Sequence, residues 1–176
     1  MAIIYFLRHG QSEANIHNVY AVDDTPLTAT GRVQAADAIT VPDLPSFDRL
    51  ITSDLARARE TAEMIAPVLG LAIELDPRLR EVNVGLMKGQ PDKHMVGYYD
   101  AANTPGNPQE VELPTEAITR LSAFLDTLKD SEESILLVGH SGSGMLLRQL
   151  ITHEEVALVA RDNLVNGQIV KFGEIS

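Results

Sequence analysis

The chain has 176 residues, 44% of them apolar and 22% charged, with a formal net charge of −11 and no cysteine. This size and balance predict one domain, 1–176, able to bury a real core. The acidic charge argues against a nucleic-acid or anionic-membrane surface, and the lack of cysteine excludes disulfides, thiol catalysis and Cys-ligated zinc. No apolar run reaches the length of a membrane span, and the first one runs straight into Arg8 without the pattern of a signal peptide, so a cytoplasmic location is expected.

Taken in order, Ala2 to Leu7 is a run of strand formers that stops at Arg8-His9-Gly10, the pattern of a buried strand delivering polar groups to its carboxyl end. Asp24 to Thr28 is turn chemistry, and Thr28 is placed to cap a helix with Val33, Ala36 and Ile39 on its apolar face. Two prolines between Val41 and Ser46 end it. Phe47 to Thr52 reads as a second strand. Ser53 or Asp54 then caps a helix whose stripe is Leu55, Ala58, Ala62, Ile65, Ala66 and Leu69, with Pro67 late in it and Gly70 as its C-terminal cap. Leu71 to Leu75 is a third strand.

From Asp76 to Pro114 the periodicity fails. Prolines, glycines and Tyr98-Tyr99 suggest an irregular excursion longer than an ordinary connection, and a lid is expected at about 82–114. Thr115 to Lys129 is an amphipathic helix, and Ser134 to Gly139 a buried strand ending at His140. A helix from about Ser143 to Ile151 follows, and Leu164 to Phe172 reads as a strand with Asn166-Gly167 as a turn or a strand start. Strands alternating with helices predict a three-layer α/β/α sandwich with a mostly parallel sheet and a short irregular lid.

In such a sheet His9 and His140 emerge on the same edge, where ligands of open α/β folds bind. Arg57 falls in the first turn of the helix starting at that edge. Two histidines and two arginines, Arg8 and Arg57, can therefore converge. The guanidinium forks suit phosphate oxygens, and charge repulsion keeps an imidazole neutral and nucleophilic. His153-Glu154-Glu155 lacks a second histidine at metal spacing, and the glycines around Ser141 and Ser143 fit neither a nucleophile elbow nor a phosphate-binding loop. His17, His94, Lys88, Lys93 and the tyrosines read as surface or packing residues, with His94 in the lid within reach of a substrate.

Several blocks in sequence order carry a resemblance: Leu7-Arg8-His9-Gly10-Gln11-Ser12-Glu13-Ala14-Asn15, Pro26 to Ala35, Ser53 to Ala62, Leu79-Arg80-Glu81 with Gly85 and Gly89, and Leu137 to Gly142. Over nearly its whole length the chain resembles the histidine phosphatase superfamily, which includes cofactor-dependent phosphoglycerate mutases. The resemblance implies that His9 attacks phosphorus and carries a phosphohistidine. It makes Arg8, Arg57 and His140 ligands of the phosphoryl oxygens, with donors added by Asn15 and by the backbone at Ser141, and it makes Glu81 the general acid and base. It implies no metal and no cofactor. The chain departs from the family pattern at Met87-Lys88-Gly89 and at Ser141, where glycine is usual.

Phosphatases and mutases of this kind share the histidine pocket, so the lid must discriminate. Between Glu81 and Glu116 stand six acidic residues against Lys88 and Lys93. A second phosphate is poorly received there, and the chain is short for a mutase. A metal-independent phosphomonoesterase is therefore expected, acting on a small phosphorylated metabolite, with a phosphoprotein as an open alternative. Mutase-type transfer and a non-catalytic phosphate-binding module are the other readings. Either a monomer or a homodimer is compatible with the tail strand.

Overall fold

A computed structural model describes residues 1–91, 96–154 and 164–175. Among the described residues, five strands form one sheet in the order β3-β2-β4-β1-β5, where β1 is Ala2–Arg8, β2 Arg49–Thr52, β3 Ile73–Leu75, β4 Ser134–Gly139 and β5 Ile169–Ile175. β2, β3, β4 and β1 run parallel, and β5 pairs antiparallel with β1 at the sheet edge. The expected α/β/α sandwich with a mostly parallel sheet is thus observed.

Side chains alternate between two cores along the central strands, as the strand period of two requires. Ile4, Phe6, Ile135 and Leu137 face one way, onto Leu121 and Phe124 of α5 (Pro114–Asp126) and Leu147 and Ile151 of α6 (Ser141–Thr152). Leu7, Leu50, Leu136 and Val138 face the other way, onto Ala58, Ala62, Ile65 and Ala66 of α3 (Ala56–Leu69). Strands buried on both faces explain why their sequences are continuously apolar.

Parallel register sets the site. Leu7 pairs with Val138 and Arg8 with Gly139, so His9 and His140 are each the next residue beyond paired strand ends. Thr52 also pairs with Val138, and the Ser53 N–H donates to the Val138 carbonyl at 3.0 Å. Three adjacent strands therefore deliver Ser53, His140 and His9 side by side.

α1 (Glu13–His17) starts at Ser12, and α2 (Ala29–Asp37) starts at Thr28, whose hydroxyl accepts the Gly31 N–H at 2.9 Å. The expected apolar face of α2 is borne out only at Ile39, which packs on the second core just past the helix end: Val33 is 59% exposed and Ala36 lies in solvent, while Gly31, Ala35 and Ala38 are buried. Backbone contact decides this orientation. A Cβ on Gly10 would sit 2.1 Å from the Gly31 carbonyl oxygen, so two glycines let α2 press against the loop after β1. α3 is capped by Leu55, with Ser53 Oγ accepting the Leu55 N–H at 3.3 Å, and Gly70 ends it in the left-handed region at φ 69°. Pro67 is accommodated near the end of that helix without breaking it. α6 begins at Ser141, two residues earlier than its apolar pattern suggests, because the small residues of its first turn lie under Glu81.

Between β3 and α5 the chain makes short turns at Pro77–Leu79 and Gly85–Met87, then α4 (Val96–Ala102), before returning to the sheet. The Tyr98 hydroxyl donates to the Glu112 carbonyl at 2.8 Å, and the Gly89 N–H donates to the Tyr20 carbonyl at 2.8 Å. These bonds seat the segment over the carboxyl edge. Among the described residues, no helix is long and apolar enough to cross a membrane.

Candidate active site

A cleft of about 920 Å³ opens at the carboxyl edge of the sheet, lined by Arg8, His9, Asn15, Arg57, Glu81 and Ser141 among others. The His9 and His140 ring centroids are 5.2 Å apart, with the planes inclined at 60°. His9 is 4% exposed and His140 fully buried. The His9 Nδ1 lies 2.6 Å from the Gly10 carbonyl oxygen, an acceptor that only a protonated Nδ1 satisfies. This leaves the Nε2 lone pair as the basic atom of the ring. The loop around it is fixed from several sides. Thr61 Oγ1 accepts the Gly10 N–H at 3.1 Å and donates to the Arg57 carbonyl at 2.8 Å, while Asn166 Nδ2 donates to the His9 carbonyl at 2.7 Å.

Arg57, in the first turn of α3, is buried and donates one N–H to the Val22 carbonyl at 3.3 Å. Arg8 donates one N–H to the Leu164 carbonyl at 2.8 Å, and its Nε has no hydrogen-bond partner among the described residues. Burial lowers the affinity of both guanidinium groups for their proton, and the Glu81 charge opposes this. Burial also holds both imidazoles well below the usual histidine range. Arg57 and Arg8 press in the same direction at His9; at His140, Arg57, His9, Arg8 and Arg120 do so. Both rings are therefore neutral near pH 7, beside two cations.

Glu81 follows the Pro77–Leu79 turn and reaches the N-terminus of α6. One carboxylate oxygen accepts the Ser143 N–H at 2.7 Å and the Val82 N–H at 3.0 Å, and the other accepts the Gly142 N–H at 3.0 Å. Gly142 is needed here, since a Cβ at that position would lie 2.7 Å from the carboxylate. The Ser141 N–H, one residue earlier, has no partner among the described residues, and Ser141 lines the cleft. Asn15 spends its side-chain oxygen on the Ser12 N–H and hydroxyl, at 2.9 and 3.0 Å, which leaves its amide N–H groups as donors at the cleft wall. Arg8, His9, Asn15, Arg57, Glu81, His140 and Ser141 are thus all brought together.

Sequence reasoning overlooked the supporting residues. Arg120 of α5 ion-pairs with Glu112 and donates to the Arg78 and Glu81 carbonyls, which ties the acid-bearing turn to a helix. Ser53, read only as a helix cap, bonds His140 Nε2 at 2.9 Å. Thr61 stands four residues after Arg57, a helical spacing that hints at its place, whereas nothing local marks Asn166 as a clamp on His9. Outside the cleft, His17 is exposed beside Glu13, and His153 ends α6 in the left-handed region. His94 and Lys93 lie outside the described residues. Among those described, no group of three histidine or acidic residues is arranged to hold a metal ion.

The sequence profile of the histidine phosphatase superfamily, branch 1, matches residues 4–173. A protein named probable phosphoglycerate mutase GpmB from Yersinia pestis (strain Pestoides F) is 32% identical over 166 residues, 86% of this chain and 75% of that protein. The GpmB of Photorhabdus laumondii is 44% identical over 89 residues, and there the chain spans 41% of that relative's length. Among solved structures, the alpha-ribazole phosphatase from Shigella flexneri superposes with a TM-score of 0.79 at 26% identity, covering 95% of this chain and 88% of that one. A mycobacterial glucosyl-3-phosphoglycerate phosphatase in complex with VO3 shares the fold at a TM-score of 0.81 and 24% identity, covering 96% and 90%.

Proposed function

Since the chain belongs to the histidine phosphatase superfamily, branch 1, whose members are phosphatases or mutases, we propose that it is a phosphomonoesterase acting through a phosphohistidine on His9. The neutral Nε2 attacks phosphorus in line, forming the N–P bond as the P–O bond to the leaving group breaks. Glu81 supplies the proton that the departing oxygen takes up. Water then attacks the phosphohistidine, gives its proton to Glu81 and releases inorganic phosphate, which regenerates the neutral ring. Arg8, Arg57, His140, Asn15 and the Ser141 N–H hold the phosphoryl oxygens, and the two guanidinium groups neutralise the charge that spreads over them. The reading calls for no metal ion or cofactor, and it treats the 82–114 segment as a short lid.

The observation favouring hydrolysis over mutase-type transfer is the pairing, among the described residues, of the remaining cations that line the cleft. Arg80 is held by both oxygens of Asp54 at 2.7 Å, Lys88 by Asp23 at 2.6 Å, and Arg120 by Glu112. Glu110 and Glu116 add negative charge to the same wall. A second phosphate needs unengaged cations, so the pocket suits a small monoester whose leaving group carries no second phosphate.

Phosphate release from a panel of phosphomonoesters in EDTA, with wild type and His9→Ala side by side, tests this. The proposal predicts activity that survives EDTA and is lost with His9. Isomerisation of a phosphoglycerate without net phosphate release would replace it by the mutase, and silence throughout from folded protein by a binding module.

A further inference from the structure

Ser53 is fully buried and outside the roles assigned above. The oxygen accepts the Leu55 N–H at 3.3 Å and lies 2.9 Å from His140 Nε2. Among the described residues the hydroxyl hydrogen has no other acceptor. His140 Nδ1, in turn, is buried without a partner. His140 is a neutral ring for the reasons given, so it carries one N–H, and the nitrogen that holds it decides what the ring can offer a phosphoryl oxygen.

The two tautomers can be weighed by counting satisfied groups. With the proton on Nε2, the ring and Leu55 both donate to Ser53 Oγ; the serine hydrogen then has no acceptor and Nδ1 is left as a bare lone pair. With the proton on Nδ1, the Ser53 hydroxyl donates to Nε2 and every group in the chain Leu55, Ser53, His140 is satisfied except the Nδ1–H. Buried polar groups strongly favour the arrangement with fewer orphans. We propose that Ser53 is a positioning residue that fixes the tautomer of His140, holding Nε2 as an acceptor and presenting Nδ1–H as a donor to the phosphoryl oxygens beside His9. The register that pairs Thr52 with Val138 and bonds the Ser53 N–H to the Val138 carbonyl sets Ser53 beside His140 and builds this relay into the sheet. A neutral imidazole fixed in this way adds one more hydrogen-bond donor to the phosphoryl oxygens without adding charge that would oppose the nearby arginines.

The effect on turnover rests on the phosphatase reading; the tautomer itself does not. The test is a long-range proton–nitrogen correlation spectrum of protein labelled with ¹⁵N-histidine, with His140 assigned by the signal lost in His140→Gln. Wild type should show the proton on Nδ1. Ser53→Ala should shift His140 toward the Nε2–H form, and Ser53→Thr, which keeps the hydroxyl, should restore the wild-type pattern. With p-nitrophenyl phosphate, kcat/KM should fall about 10- to 100-fold in Ser53→Ala and recover in Ser53→Thr. A wild-type His140 protonated on Nε2 overturns the proposal even if both variants misfold. So does a Ser53→Ala protein that keeps the Nδ1–H tautomer. No turnover by wild type on any probe would sink the phosphatase reading while the spectrum still decided the tautomer.

Discussion

The Glu81 carboxylate accepts the backbone N–H of Ser143 at 2.7 Å, so the proposed acid is docked on the first turn of the helix that His140 begins. Two more backbone donors, from Val82 and Gly142, complete its seat. The acid is therefore positioned by the same strand-to-helix junction that positions the second histidine.

Replacing Glu81 by Gln removes the transferable proton while keeping the shape. Hydrolysis of alkyl phosphates should slow by roughly 10²- to 10⁴-fold, and p-nitrophenyl phosphate, whose leaving group needs little protonation, should be affected far less. Steady-state rates on both substrate types check this. An equal loss on both would remove the acid role from Glu81.

Gly142→Ala displaces the carboxylate without touching the nucleophile. Its Cβ would meet a Glu81 oxygen at 2.7 Å and Val82 Cγ2 at 3.2 Å. Turnover of alkyl phosphates should fall on the order of 10-fold through misplacement of the acid. The p-nitrophenyl phosphate rate and the urea midpoint should change little. Loss of both activities together would mean that Gly142 serves the phosphate pocket instead.

Stability should depend on pH through the two buried histidines. Both are held neutral in the fold, well below the usual range, whereas in the unfolded chain they titrate near 6.5. Below that value the unfolded state binds more protons, so stability is fully present above about pH 6.5 and is lost as pH falls toward the folded values. The slope approaches about 1.4 kcal/mol per pH unit for each histidine. Urea melts of wild type and His140→Gln between pH 7 and 5 test this, and the variant should show the shallower dependence. Identical slopes would mean that His140 takes up its proton in the fold over the same range as in the unfolded chain.

Much of this was legible in the sequence because strands covered on both faces are continuously apolar and end where polar residues begin. Arg8-His9-Gly10 and Gly139-His140 mark such ends without ambiguity. The face of α2 was misread because Val33 looks like a core residue, yet the close approach of Gly10 and Gly31 turns the small residues inward. Local pattern carries no trace of such backbone contacts. The same holds for Ser53, whose partner His140 is 87 residues away, and for Asn166, which holds the His9 carbonyl across 157 residues. The parallel register, a property of the assembled sheet, makes them neighbours.

Covalent carriage of phosphate on His9 is the step on which the proposed hydrolysis depends. Rapid quenching into base during turnover of a phosphomonoester, followed by peptide mapping, tests it most directly, because phosphohistidine survives base and is lost in acid. A base-stable, acid-labile phosphate should appear on the peptide containing His9, formed in an early burst and absent from His9→Ala. Turnover by wild type with no such label, or with the label on His140, would contradict it.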